Sequence, residues 1–332
     1  MQIKVLLTDA ANRLNSDEAV LEAQLLLQHV LNVNRAWLIA HQNDALGANI
    51  HAVFEALLNR RLNGDPIAYI LGYREFYGLN LKVTPDTLIP RPDTETLVDA
   101  ALEKIPLMVR QAHHDRDLLA PVRPELVEGQ QNDNSSSPSF RRKSESSGGE
   151  LLGKKTLDSD FRRNDNFSIL DLGTGSGAIA LAIAKHRPLA QVIAIDASEN
   201  ALKIAQENAQ NLQIANVKFV LSDWFNALKN EKFDVIASNP PYIEANDMHL
   251  TQGDLRFEPI SALASGQDGL DDVRKIIQTA PRHLNPHGWL MLEHGYNQAE
   301  SVASLLKQAE FSEITTLKDL GGINRVTLGK LC

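Results

Sequence analysis

Between residues 167 and 185 the chain passes from an apolar run, Phe167-Ser168-Ile169-Leu170-Asp171-Leu172, through Gly173-Thr174-Gly175-Ser176-Gly177 into an alanine-rich stretch that begins at Ala178. A short apolar run closed by glycines and followed at once by helix formers reads as strand, loop and helix. Glycines at that junction let the backbone take conformations closed to other residues and approach a neighbouring group closely. The arrangement is that of an open α/β sheet, in which ligands bind beyond the carboxyl ends of the strands. Read alone, the segment could also be no more than a glycine-rich structural turn.

Three further apolar runs, 192–195, 217–221 and 233–238, end in polar residues that chemistry can use. Asp196 follows the first, about 20 residues beyond the glycines, where a carboxylate accepts hydrogen bonds from ribose hydroxyls. That spacing points to a nucleoside cofactor. A dinucleotide fingerprint reads G-x-G-x-x-G, whereas this loop reads G-x-G-x-G after Asp171, the arrangement found in S-adenosylmethionine enzymes. Ser222-Asp223-Trp224 ends the second run, with a carboxylate for an adenine amino group and an indole to pack on the ring. Asp223 has an alternative reading as a helix cap.

The third run ends in Asn239-Pro240-Pro241-Tyr242. Proline has no N–H to donate to a ladder, so the strand must stop there and turn, exposing Asn239 and Tyr242. An Asn side-chain oxygen and a carbonyl turned outward beside it can together accept both hydrogens of one planar NH2 group. The target would be an amide or an aromatic amine. The bland alternative is a turn signal alone.

The rest of the chain is less explicit. Residues 1–72 read as a small bundle of amphipathic helices, with a start signal at Ser16-Asp17-Glu18, a stripe through Ala19, Leu21, Leu25, Leu26 and Val30, and a second helix over 53–62 stopped at Asn63-Gly64-Asp65-Pro66. Such a bundle serves equally well as a stabilising appendage or as a docking module. A β-hairpin linker is expected over 73–92, turning at Gly78-Leu79-Asn80, followed by a helix over 94–105 with Asp93 as its N-cap. From about 107 to 166 periodicity disappears into polar runs such as Asn132-Asp133-Asn134-Ser135-Ser136-Ser137, which predicts a disordered insertion that cannot bury enough apolar surface to fold alone. Within it, 121–129 resembles translated palindromic repeat elements of bacterial reading frames, and Arg141-Arg142-Lys143 reads as part of a solvated loop.

Composition narrows the setting. One cysteine, Cys332, rules out an intrachain disulfide, no Cys/His cluster has metal-ligand spacing, and no run approaches the length of a membrane span. A cytoplasmic, unprocessed, monomeric chain with no metal is expected. A net charge of -9 disfavours loose attraction to phosphate backbones.

Taken together, Glu22-Ala23-Gln24-Leu25-Leu26-Leu27, Ala68-Tyr69-Ile70-Leu71-Gly72, 89–95, 171–177, Ser222-Asp223-Trp224, 239–242, Phe257-Glu258-Pro259 and Arg325-Val326-Thr327-Leu328-Gly329 closely resemble the HemK/PrmC family. Those bacterial enzymes methylate a glutamine of class I peptide chain release factors, in the Gly-Gly-Gln motif, at its side-chain nitrogen N5. The match runs nearly end to end and leaves out only the insertion. The resemblance implies a class I S-adenosylmethionine-dependent methyltransferase fold, with a Rossmann-like seven-stranded sheet over 93–332 and the helical segment 1–72 helping to hold the release factor. It implies that Gly173, Thr174, Gly175, Ser176, Gly177, Asp196, Asp223, Trp224 and Asn239 bind S-adenosylmethionine. Asn239, Pro240, Pro241 and Tyr242 would seat the glutamine. Two rival readings are a methyltransferase for the exocyclic amine of adenine in DNA or RNA, which would need a flipped base and a basic surface, and an inactive cofactor-binding scaffold.

Overall fold

A computed structural model describes residues 1–14, 16–105 and 167–332, so the insertion expected at about 107–166 lies outside the described residues. Strand β3, Ser168–Leu172, turns Ile169 into one hydrophobic cluster and Leu170 and Leu172 into another. A strand apolar on both faces must lie inside a sheet covered on both sides. Around β3 stand β4 (Gln191–Asp196), β5 (Val217–Leu221), β6 (Phe233–Ser238), β7 (Leu284–Glu293), β8 (Phe311–Lys318) and β9 (Asn324–Leu331). They form a seven-stranded sheet in the order β5-β4-β3-β6-β7-β9-β8, parallel except for β9, which runs antiparallel to both its neighbours. Helices α6 (Glu95–Lys104), α7 (Ala178–His186) and α8 (Glu199–Asn211) cover the Ile169 face, and α9 (Asp271–Thr279) and α10 (Ala299–Gln308) the other.

The chain leaves β3 toward β4 and β5, then returns to the other side of β3 for β6 and β7. The order therefore reverses between β3 and β6. The connections on the two sides diverge there and leave a crevice past the carboxyl ends of the strands.

Five helices precede the sheet: α1 (Ile3–Arg13), α2 (Ala19–Leu31), α3 (Arg35–Ala40), α4 (Ala48–Leu62) and α5 (Ile67–Leu71). They close around their own core of Ile3, Leu6, Leu26, Leu27, Phe54 and Leu58. The stripe on α2 is rotated from the expected one. Leu21 is exposed while Glu22 is buried, because Arg61 donates to both Glu22 oxygens at 2.7 and 3.0 Å. Helix α4 starts at Ala48, before the expected 53; Val53 lies on its solvent side, and Phe54 and Leu58 carry the packing.

Strands β1 (Tyr73–Phe76) and β2 (Leu79–Lys82) pair as a hairpin. Its turn is Tyr77-Gly78, both at positive φ, one residue earlier than expected. That is the mirror-image two-residue turn whose twist matches paired strands. Asn208 on α8 holds this hairpin to the sheet layer, accepting from Lys82 N and donating to Lys82 O and Ser176 O. Asp93 does not cap α6. It lies in a 3-10 turn, Pro92–Thr94, and its carboxylate pairs with Arg325 at 3.0 Å instead. Among the described residues no helix is long and apolar enough to cross a membrane.

Candidate active site

The carboxyl ends of β3, β4, β5 and β6 open onto one cavity of about 280 Å³. Gly173, Gly175, Asp196, Asp223, Trp224, Asn239 and Pro241 line it, as the strand ends required. Gly173 has φ +74, and a Cβ there would sit 3.6 Å from the indole of Trp224, so the ring lies directly over the bare backbone. Trp224 is itself held at φ 46, a conformation non-glycine residues seldom take. Its Nε1 donates to Asp272 at 3.2 Å. No helix starts after Asp223; residues 224–227 form a turn, which removes the helix-cap reading.

Asp196 is fixed by two backbone amides, Gly175 N to Oδ2 and Ser198 N to Oδ1, each at 2.8 Å. Burial pushes its carboxyl above the usual range, and the Ser198 and Gly175 amides pull it back. Each oxygen keeps a further lone pair for a ligand hydroxyl.

The remaining expected residues support the wall without forming it. Asp171, fully buried, accepts from the Thr174 hydroxyl at 2.6 Å and from Ala180 N at 3.1 Å, which ties the loop to the first turn of α7. Burial raises its pKa to about 7, against those two bonds. Ser176 and Pro240 are buried. Gly177, at φ +87, faces Leu181 and Ala205 so closely that a Cβ would lie 3.0 and 3.2 Å from them.

Asn239 and Tyr242 are half-buried, contrary to the exposure expected of the turn, because the 260s loop folds over them: Tyr242 N and Ile243 N both donate to Leu263 O. Asn239 Nδ2 donates to Thr94 Oγ1 at 3.2 Å. Among the described residues neither Asn239 Oδ1 nor the Pro240 carbonyl accepts a hydrogen bond. A smaller cavity of about 60 Å³ adjoins the first through Leu88, Asn239 and Ala262, and Tyr242 and Arg91 stand on its far wall. The Arg91 guanidinium pairs with Glu258, whose carboxylate also accepts Ile89 N at 2.9 Å. Burial raises the Glu258 pKa, and the Arg91 charge opposes it.

Sequence reasoning passed over Asp86, Leu88, Ser261, Ala262 and Asp272, which also line the larger cavity. They belong to loops without periodicity or to the first turn of a helix, so the only signal was their nearness to the stiff segment Ile89-Pro90-Arg91-Pro92 and to Glu258-Pro259. Among the described residues the wall of the larger cavity carries Asp86, Asp196, Asp223 and Asp272 and no lysine, arginine or histidine. Such a lining attracts a cationic ligand and repels a pyrophosphate.

A doubly covered sheet with this reversal, a glycine loop at its first strand and an acidic nucleoside-sized crevice define the class of α/β methyltransferase domains. Residues 163–323 match a family model described as a methyltransferase domain, and residues 6–72 one described as the PrmC N-terminal domain. The release factor glutamine methyltransferase of Xylella fastidiosa (strain Temecula1) is 42% identical over 309 residues, 93% of this chain and 92% of that protein. The Escherichia coli (strain K12) enzyme of the same name is 37% identical over 99% of both chains. A solved protein-(glutamine-N5) methyltransferase (release factor-specific) from Alicyclobacillus acidocaldarius is 24% identical, covering 76% of this chain and 99% of that one at a TM-score of 0.36. The chain belongs to the release factor glutamine methyltransferase family.

Proposed function

We propose that the chain transfers the methyl group of S-adenosylmethionine to the side-chain nitrogen N5 of a glutamine in class I peptide chain release factors, within their Gly-Gly-Gln motif. The observation that carries this reading is the state of Asn239. Its NH2 donates one hydrogen to Thr94, and among the described residues Oδ1 accepts nothing where the two cavities meet. With the Pro240 carbonyl, which also accepts nothing among the described residues, that oxygen can take both hydrogens of one NH2 group, whereas a hydroxyl has only one to give.

The acidic wall of the larger cavity fits a cofactor that carries positive charge and a ribose. In this reading Asp196 accepts from the ribose hydroxyls, Asp223 from the adenine amino group, and Trp224, seated over Gly173, flanks the base. When bound, S-adenosylmethionine supplies a methyl group already made electrophilic by a cationic sulfur. An amide nitrogen is a poor nucleophile, its lone pair being delocalised into the carbonyl. Asn239 Oδ1 and the Pro240 carbonyl compensate by accepting both N–H bonds, which aligns the nitrogen and stabilises the positive charge it gains on attack. Pro241 fixes the turn, and the Tyr242 ring walls the smaller cavity. No strong base is needed before transfer: the nitrogen sheds one N–H proton to solvent only after the methyl has left the sulfur, which departs as a neutral thioether.

The helical segment 1–72 is proposed to hold the release factor and 73–92 to link it to the methyltransferase domain, 93–332, with catalysis in the cytoplasm, where translation terminates. The test is methyl transfer from labelled S-adenosylmethionine to purified release factor beside plasmid DNA, with mass spectrometry locating the methyl. Label on a glutamine side-chain nitrogen is expected. Label on adenine N6, or on nothing, would overturn the reading.

A further inference from the structure

We infer that Glu293, the last residue of β7, is a positioning residue that sets which way the Asn239 amide faces, acting through the Thr94 hydroxyl. The inference rests on the proposed role of Asn239 as acceptor for the target NH2.

Glu293 is buried at 1% exposure beside the Asn239–Tyr242 turn, and no step of the proposed chemistry uses it. Oxygen Oε1 accepts from the Tyr242 hydroxyl over a stretched 3.4 Å. Oxygen Oε2 has no hydrogen-bond partner among the described residues, although Thr94 lies near enough to bias the ionisation of the carboxylate. A buried acceptor left empty costs free energy, so a donor within reach is expected to fill it.

The Thr94 hydroxyl is such a donor. It accepts from Asn239 Nδ2, and its own proton has no other acceptor of ordinary geometry among the described residues. With that proton turned to an ionised Glu293, only a lone pair faces Asn239, and only the NH2 end of the amide can meet a lone pair. Oδ1 is then forced toward the crevice. If Glu293 is protonated, it can donate to Thr94 instead, which frees the threonine proton to point at Asn239 and lets the amide turn over. The orientation lock exists only with the carboxylate charged.

Burial raises the Glu293 pKa to about 7, opposed by the Thr94 hydroxyl and the Arg325 guanidinium and assisted by Asp93. Those groups, with Tyr242, face it from the 92–94 turn, from β9 and from the Asn239–Tyr242 turn; Arg325 is in turn held by Asp93 and Asp319. The lock therefore sets as pH rises through about 7.

The experiment follows single-turnover transfer to release factor at saturating S-adenosylmethionine between about pH 6 and about pH 8.5, for wild type, Glu293→Gln, Thr94→Val and Thr94→Ser, with cofactor affinity measured by calorimetry. The wild-type rate should climb through about pH 7 and level off. Both Glu293→Gln and Thr94→Val should lose about tenfold in rate and flatten the climb, Thr94→Ser should restore both, and affinity should stay within about twofold throughout. Should Glu293→Gln not fold, the two threonine variants decide. A variant that keeps the wild-type rate and climb, or a loss of cofactor affinity in step with rate, would overturn the inference. Wild-type protein inert on release factor but active on adenine would sink the functional reading alone, and the same pH comparison on that product would still decide the role of Glu293.

Discussion

The glycine-loop side of the crevice and the Asn239 side are built in different ways. On the first, Gly173, Gly175 and Asp196 follow consecutive strands, and their bonds to one another span at most 21 residues, as from Gly175 N to Asp196. On the second, Asn239 meets Thr94 across 145 residues, Arg91 meets Glu258 across 167, and Tyr242 meets Glu293 across 51. A site made from neighbouring segments forms as soon as two βα units dock. One drawn from distant segments is correct only when the whole sheet and the loops over it are in place. The first should tolerate loosening elsewhere and fail mainly in binding, and the second should fail in rate.

The sharpest break would come from Asn239→Ala. Transfer should fall by about 10² or more, as for loss of one preorganised transition-state partner, while calorimetry finds S-adenosylmethionine affinity within a few fold. Loss of binding in parallel would merge the two sides. Asp196→Ala should do the reverse. Losing a charged acceptor for ribose hydroxyls costs about 1.5 to 3 kcal/mol, or about tenfold to a hundredfold in affinity, with the rate at saturation little changed. Unchanged affinity would remove Asp196 from the cofactor site.

Gly177→Ala addresses support in place of contact. At φ +87 any side chain is strained, by about 1 to 2 kcal/mol, and its Cβ would press on Leu181 and Ala205. The melting temperature should drop by about 2 °C or more, while residual protein keeps its affinity. An unshifted melt would mean that the loop relaxes freely.

A pH-dependent effect concerns Asp171, whose pKa burial raises to about 7. A carboxyl raised in the fold keeps a proton that the unfolded chain has already released, so stability falls as pH rises from the ordinary carboxylate range toward about 7. Asp171→Asn removes that dependence. Its stability relative to wild type, from urea titrations, should rise with pH across that window and then stay level. A difference that falls with pH would show that Asp171 is stabilised as the charged form.

The sequence by itself determined the α/β sheet, the glycine loop and the four strand ends at its reversal. Each of these is written within a few residues: an apolar run, a glycine that tolerates positive φ, a proline that ends a ladder. The helical segment was legible as helices, but α4 began earlier and the α2 stripe turned, because Glu22 is buried only through Arg61, 39 residues away. Asp93 likewise looked like a cap and became a partner for Arg325. Only the tertiary structure decided that Tyr242 faces Glu293, that Thr94 occupies the Asn239 amide, and that Asp86 and Asp272 complete an acidic wall. The reason is physical. Local conformation depends on neighbours along the chain, whereas the burial and charge of a side chain depend on which distant elements the fold brings against it.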